Sequence, residues 1–324
     1  MHRWMYLSCA CFSPQIDFLA SCFFSQATRP LLDILLQAYP QYLQEDWFTY
    51  ERYLWAAELF YSYAFEIEFP PATMSKTVMV PFACHVNHSP WPHVVRYGRL
   101  HAGTQTLDFP AFRPVKQGEQ VFISYGPVPN MKLLTYYGFS IADNPHDLVP
   151  LTLEMPAVED TPENRSILAS RTKAMEKYGI RMEHSLRNGP LAAQLMGCLR
   201  LVVAEESELE VALDGTKNPL LEPLSDACEV QALQTLHVAL QGLLNPVEEA
   251  LKRWQENEQE GGGGRDEIGD DAGKRNENGF DLEWKTSLEF CRVYVEGQKK
   301  IIKQNILDCR RRVSGHQINT DIMN

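Results

Sequence analysis

The stretch GEQVFISYGPVPNMKLLTYYGF, residues 118–139, carries two kinds of signal. Gly118 suits a turn. After it the side chains alternate, with Val121, Ile123 and Tyr125 on one face and Phe122 and Ser124 on the other, which is the period of a strand. Pro127 and Pro129 end that strand. A second dense stretch lies upstream, VPFACHVNHSPWPHVV at residues 80–95. It holds His85, His88, His93, Cys84 and Asn87 between prolines.

That upstream cluster admits three readings. The histidines could be metal ligands, but they stand in a non-helical stretch, with no H-E-x-x-H pattern and no partner cysteine for Cys84. Asn87-His88-Ser89 fits the N-x-[ST] glycosylation pattern, although Pro90 follows directly. The third reading is the wall of an active site. Taken alone, Tyr125 reads as a strand-end residue and Tyr137 as a core aromatic.

The surrounding chain places these stretches. Leu31–Tyr39 reads as a short helix stopped at Pro40. Thr49 can cap a second helix, in which Tyr53, Leu54, Ala57, Phe60 and Tyr61 recur at helical spacing, as core packing would require. Residues 65–125 are punctuated by proline and glycine, and VVRYGRL and GTQTLDF read as strands. Beyond about residue 150 the pattern is helical, over 162–179, 190–212 and 226–254. A last helix is expected to be capped by Asp281, with Trp284, Leu288, Cys291, Val295, Ile302, Ile306 and Cys309 on one face. Lys299, Lys300, Lys303 and Arg310–Arg312 form its basic face, which would suit the helix dipole near a C-terminus. Residues 256–280 carry eight acids against three bases and four consecutive glycines, so a disordered loop is expected there.

Composition narrows the function. The chain has 324 residues, a net charge of -12, 44% hydrophobic and 22% charged residues, enough for one large or two medium domains. The acidity argues against nucleic acid as a partner and suits a lysine-bearing protein. Eight cysteines without a C-x-x-C pair read as reduced thiols of an intracellular protein, in cytoplasm, nucleus or chloroplast. The absence of an apolar run of about 18 residues gives no membrane-spanning helix, hence no membrane partner. The apolar, cysteine-rich start could be a transit peptide, a secretory signal or a leader without a folding role.

The ordered series PFA-x-x-x-NHS, then GEQVFISYG-x-x-x-N-x-x-LL-x-x-YGF, then NPHD resembles the second half of a SET domain of the Rubisco large-subunit methyltransferase (LSMT) type. That family includes the actin-histidine and several lysine methyltransferases. The helix LWAAELFYSYAF is similar to a family helix ending in Ser-Arg-x-Phe, and the resemblance covers about residues 45–312. It implies an α+β fold, with a divergent leader (1–45), a partial β-rich SET domain (46–150) and an all-α substrate-binding domain (151–315). It implies S-adenosylmethionine as cofactor, a lysine-bearing protein as substrate and no metal. In the family pattern Asn87 and His88 hold the cofactor and Tyr125 is the catalytic tyrosine, also beside the cofactor. Tyr137 and Ser62 line the substrate channel.

Departures from the pattern shape the expectation. Cys84 stands where the family has an aspartate, and Tyr63 where it has an arginine. The glycine-rich strand-turn that opens the family's SET domain is not seen in residues 1–45, so impaired cofactor binding and slow methylation are expected. A non-catalytic relative that binds proteins through its helical domain is the alternative.

Overall fold

The structure, a computed structural model, describes residues 29–323 apart from 45–46, 69–74, 81, 95–98, 102, 105, 157–158 and 260–276. The described residues form two compact units, those within 1–146 with 267–294, and those within 147–266 with 295–324.

The first unit is built from short elements. Helix α1 covers residues 29–38. Helix α2, Tyr50–Tyr63, starts as the sequence predicts, with Thr49 Oγ1 accepting from the Arg52 N–H at 3.4 Å. Its aromatic stripe differs from expectation. Leu54 is buried, but Phe60 is 43% exposed, so the helical spacing here does not mark one buried face. Strand β1, Ala64–Glu68, pairs antiparallel with β2, Ser75–Met79. A 3-10 turn, Ala83–His85, leads into β3, Asn87–His88. Strands β4, Arg99–His101, and β5, Thr106–Asp108, form a second antiparallel pair.

The strand expected through residues 121–125 survives only as β6, Phe122–Ile123, which runs parallel to β3. Pro90 and Pro92 follow one strand and Pro127 the other, so neither can extend the ladder. Beyond β6 a helical turn, Asn130–Lys132, widens into a π-helix, Leu133–Tyr137. Gly138 closes it at φ 77°, a left-handed position that suits glycine.

The second unit has a continuous core. Strand β7, Val149–Thr152, pairs antiparallel with β8, Glu183–Leu186. The expectation of an all-α region after residue 150 therefore needs this correction. Val149 and Leu151 are buried while Pro150 and Thr152 are exposed, and that alternation makes the segment a strand. The helices are α3, Pro162–Tyr178, α4, Ala193–Val203, α5, Glu206–Asp214, α6, Asp226–Gln259, and α7, Glu277–Met323. The expected helix over 190–212 is thus two helices. Ala204 is extended, and Glu205 and Glu208 make a reciprocal capping box that starts α5 afresh.

Helix α4 is buried almost throughout and belongs to both hydrophobic clusters of this unit. One joins Leu195 and Leu199 to Leu233, Leu236, Ile301 and Ile302, and the other joins Cys198 and Leu201 to Met175, Leu209 and Cys228. Arg200 is the one charge on this helix. Its Nε and Nη2 fork onto Glu229 at 2.5 and 2.9 Å, and Nη1 donates to the Pro219 carbonyl at 2.7 Å. Such pairing is what a buried guanidinium requires.

The loop expected over 256–280 is shorter at both ends. Residues 256–259 finish α6 and 277–280 begin α7, while 260–276 lie outside the described residues. Extending a formed helix by a turn of polar residues costs far less than starting one. Asp281 consequently sits inside α7 and does not cap it. The basic residues 299–312 are likewise in mid-helix, so the dipole does not account for them. Lys299 and Lys303 face Glu248 at 3.8 and 2.7 Å instead. The apolar stripe holds at Cys291, Val295, Ile302, Ile306 and Cys309, all buried. Among the described residues no helix is long and apolar enough to cross a membrane.

Candidate active site

The parallel pairing of β3 with β6 brings the two sequence stretches together. Asn87 lies opposite Phe122 and His88 opposite Ile123, and the Ser89 N–H donates to the Ile123 carbonyl at 3.0 Å. Ile123 is 1% exposed and anchors the pair. Two residues further on, the chain turns Tyr125 back over His88.

His88 is 5% exposed. Its Nδ1 accepts the Tyr125 N–H at 2.9 Å, and the two rings stack with centroids 5.0 Å apart. An Nδ1 that accepts leaves the proton of the neutral ring on Nε2. That Nε2 is buried and has no hydrogen-bond partner among the described residues. Burial pushes the His88 pKa down, and the nearby His146 adds to the shift, so the ring is neutral at physiological pH.

Tyr125 carries the outward chemistry. Its hydroxyl donates to the Val86 carbonyl at 3.1 Å. The oxygen keeps lone pairs that can accept an N–H. Burial, with smaller contributions from Tyr137, Tyr63 and Cys84, pushes the phenol up to about 12. Tyr137 packs on the Tyr125 ring at 4.9 Å, and Phe139 lies 6.3 Å from Tyr137 and 6.5 Å from His88. Phe290 meets Phe139 edge-on at 6.4 Å. The site is an aromatic cage with one neutral phenol and one buried imidazole N–H.

The structure therefore gathers His88, Tyr125 and Tyr137. Asn87 is exposed, with its backbone in the pairing to Phe122. Ser62 is the penultimate residue of α2, and its side chain lies outside the described residues. Phe139 and Val86 belong to the site and were not singled out from the sequence, although Phe139 ends the YGF triplet. The two departures from the family pattern are neighbours, since the Cys84 Sγ lies 3.3 Å from the Tyr63 carbonyl oxygen.

The histidine cluster separates into different tasks. His93 Nδ1 accepts the Phe122 N–H at 3.2 Å and its ring stacks on Phe122. His85 is exposed, 6.4 Å from the Tyr63 ring. Among the described residues no group of three or more His, Cys, Asp or Glu side chains is arranged to hold a metal.

Comparison with known proteins places the fold. The Rubisco LSMT substrate-binding family model matches residues 162–302. A solved SET domain of LSMT, bound to lysine and AdoHcy, superposes with a TM-score of 0.57 at 20% identity, covering 90% of this chain and 64% of that one. The fold is that of the LSMT SET structures. The ribosomal lysine N-methyltransferase set10 of Schizosaccharomyces pombe is 25% identical over 164 residues, 50% of this chain and 30% of that protein. The actin-histidine N-methyltransferase of Gallus gallus is 25% identical over 176 residues, 53% of this chain and 28% of that protein. The chain thus spans less than a third of the length of either relative. Its two-part organisation, short paired strands followed by buried helices, is the α+β fold of this type.

Proposed function

We propose that the protein transfers a methyl group from S-adenosylmethionine to a lysine side chain of a protein substrate, with Tyr125 at the point of transfer. The observation that carries this reading is the joining of His88 and Tyr125, 37 residues apart in sequence, by a backbone-to-ring hydrogen bond and a ring stack.

The residues fit the cofactor. The buried Nε2–H of His88 has no protein acceptor among the described residues, and a purine or carboxylate offers one. The faces of Tyr125 and Tyr137 attract a positive centre, whether sulfonium or ammonium. When bound, S-adenosylmethionine supplies an electrophilic methyl group on a positively charged sulfur.

The chain's own residues orient the acceptor. A lysine amine begins near pKa 10.4 and must lose its proton to become a nucleophile. The Tyr125 hydroxyl gives its own proton to Val86, so its oxygen can accept one N–H of the neutral amine and aim the nitrogen lone pair. With its pKa near 12 the phenol stays uncharged where the amine titrates. Tyr137 walls the amine's alkyl stem against Tyr125. In the balanced step one N–C bond forms, one S–C bond breaks and a proton leaves to solvent.

The free thiols Cys84, Cys198, Cys228, Cys291 and Cys309 are in keeping with an intracellular setting. The test is transfer of a labelled methyl group to lysine-rich proteins, with mass spectrometry to locate it. Methylated lysine, lost in Tyr125→Phe, supports the reading. Transfer only to histidine would change the acceptor, and no transfer to any substrate would overturn the activity.

A further inference from the structure

Asn130 and Asn144 form a buried amide clamp beside the site. Asn130 is 1% and Asn144 5% exposed. Asn130 Nδ2 donates to the Ile141 carbonyl at 2.9 Å, and its Oδ1 accepts the Ile141 N–H at 3.0 Å. The side chain pairs with the Ile141 backbone on both sides, as one peptide group pairs with another in a sheet. Asn144 Nδ2 donates to Asn130 Oδ1 at 3.2 Å and to the Val128 carbonyl at 2.9 Å, while its Oδ1 accepts the His146 N–H at 3.0 Å.

These bonds close a loop. Val128 and Ile141 are its ends, and the π-helix with Tyr137 and Phe139 lies between them. Within it Leu133 is fully buried, and the Phe139 N–H reaches back to the Leu133 carbonyl at 3.4 Å. Tyr137 is therefore fixed at two levels, by Leu133 in the core and by the clamp at the ends. Tyr125 stands outside the loop, held to His88 and Val86. The 4.9 Å spacing of the Tyr125 and Tyr137 rings is a distance between two separately anchored pieces of chain.

We propose that Asn130 is a positioning residue, which through the Ile141 pairing sets Tyr137 against Tyr125 and so sets the width of the aromatic slot. It touches neither reacting group and acts through Tyr137. A role for that slot in methyl transfer rests on the function proposed above; the positioning role itself is a statement about ring geometry. Asn is suited to the task because it presents a donor and an acceptor at once. Aspartate has the same shape without the donor, and would set a buried carboxylate against the Ile141 carbonyl.

The test reads ring geometry and not activity. In the full chain with labelled tyrosine and histidine, NMR should give a Tyr125–Tyr137 ring contact and a Tyr125–His88 ring contact. Asn130→Ala and Asn130→Asp are each expected to remove the first and keep the second. Retention of the Tyr125–Tyr137 contact in either variant would overturn the proposal. So would loss of both contacts together in a folded variant, because that marks general loosening. If both variants fail to fold, Asn144→Ala, which removes the brace on Asn130 Oδ1, must weaken the Tyr125–Tyr137 contact selectively, and an unchanged contact there overturns the proposal. Methyl transfer is measured in parallel, so a chain with the native contacts and no activity would count against the proposed function alone.

Discussion

Tyr125 and His88 hold each other twice, through the Tyr125 N–H on His88 Nδ1 at 2.9 Å and through rings stacked 5.0 Å apart. The first bond fixes the imidazole tautomer, and the second fixes where the phenol sits. Each residue thereby sets the chemistry of the other.

Tyr125→Phe keeps the ring, its contacts with the His88 and Tyr137 rings and the backbone bond to His88. Only the hydroxyl is lost, together with its bond to Val86. We expect kcat for methyl transfer to fall by about 10²–10³, the usual cost of one positioned polar group at a reacting centre. The thermal midpoint should move by only a few degrees. Steady-state kinetics and calorimetric melting of both proteins check this, and an unchanged kcat would reduce Tyr125 to a packing residue.

His88 imposes an acid limit. Its pKa is lowered on folding, so between the folded value and the unfolded value near 6.5 the unfolded chain binds more protons. Its contribution to stability is intact above that window and is lost as pH falls through it. Protonated Nδ1 would also confront the Tyr125 N–H, donor against donor. Urea unfolding at pH 7.5 and 5.0 should show a larger loss for the wild type than for His88→Asn. Equal losses would mean that His88 does not feel its burial.

Tyr125 imposes no alkaline limit in the useful range. Its phenol is pushed up to about 12, so it stays protonated while the substrate amine, near 10.4, deprotonates. The rate toward a lysine peptide should rise with pH up to about 10 without the fall that an ordinary phenol would bring. A bell-shaped profile turning over below pH 9 would contradict this.

Glu229→Ala leaves Arg200 buried with a charge and no carboxylate. Removing one partner of such a pair costs about 3–5 kcal/mol. Denaturant unfolding of the chain should show that loss. A change below about 1 kcal/mol would mean that water reaches the guanidinium.

The site was legible because its residues lie in two short stretches that a parallel pairing must bring together. NHS and SYG need only β3 and β6, two residues each, to place His88 under Tyr125. The histidine cluster was ambiguous for the same reason, since its density does not reveal that His93 staples Phe122 while His88 faces Tyr125. Asn130 stands within the family pattern, but an asparagine in a sequence gives no sign of bonding a backbone eleven residues away. In the helical region the stripe from Cys291 to Cys309 was plain at its spacing, whereas the break at Ala204 was not. Glutamate is an uncommon cap, and Glu205 with Glu208 reads as helix interior until the reciprocal bonds are seen. The strand pair β7–β8 is four residues on each side, too short for alternation to stand out against the helices around it.

The most direct test is a calorimetric titration of S-adenosylmethionine into the purified chain and into His88→Ala. We expect weak but saturable one-site binding to the wild type, lowered at least a further tenfold in the variant, which is about 1.4 kcal/mol. Absence of binding to the folded wild type, or equal affinity in the two proteins, would contradict it, and absence would favour a protein-binding module over an enzyme.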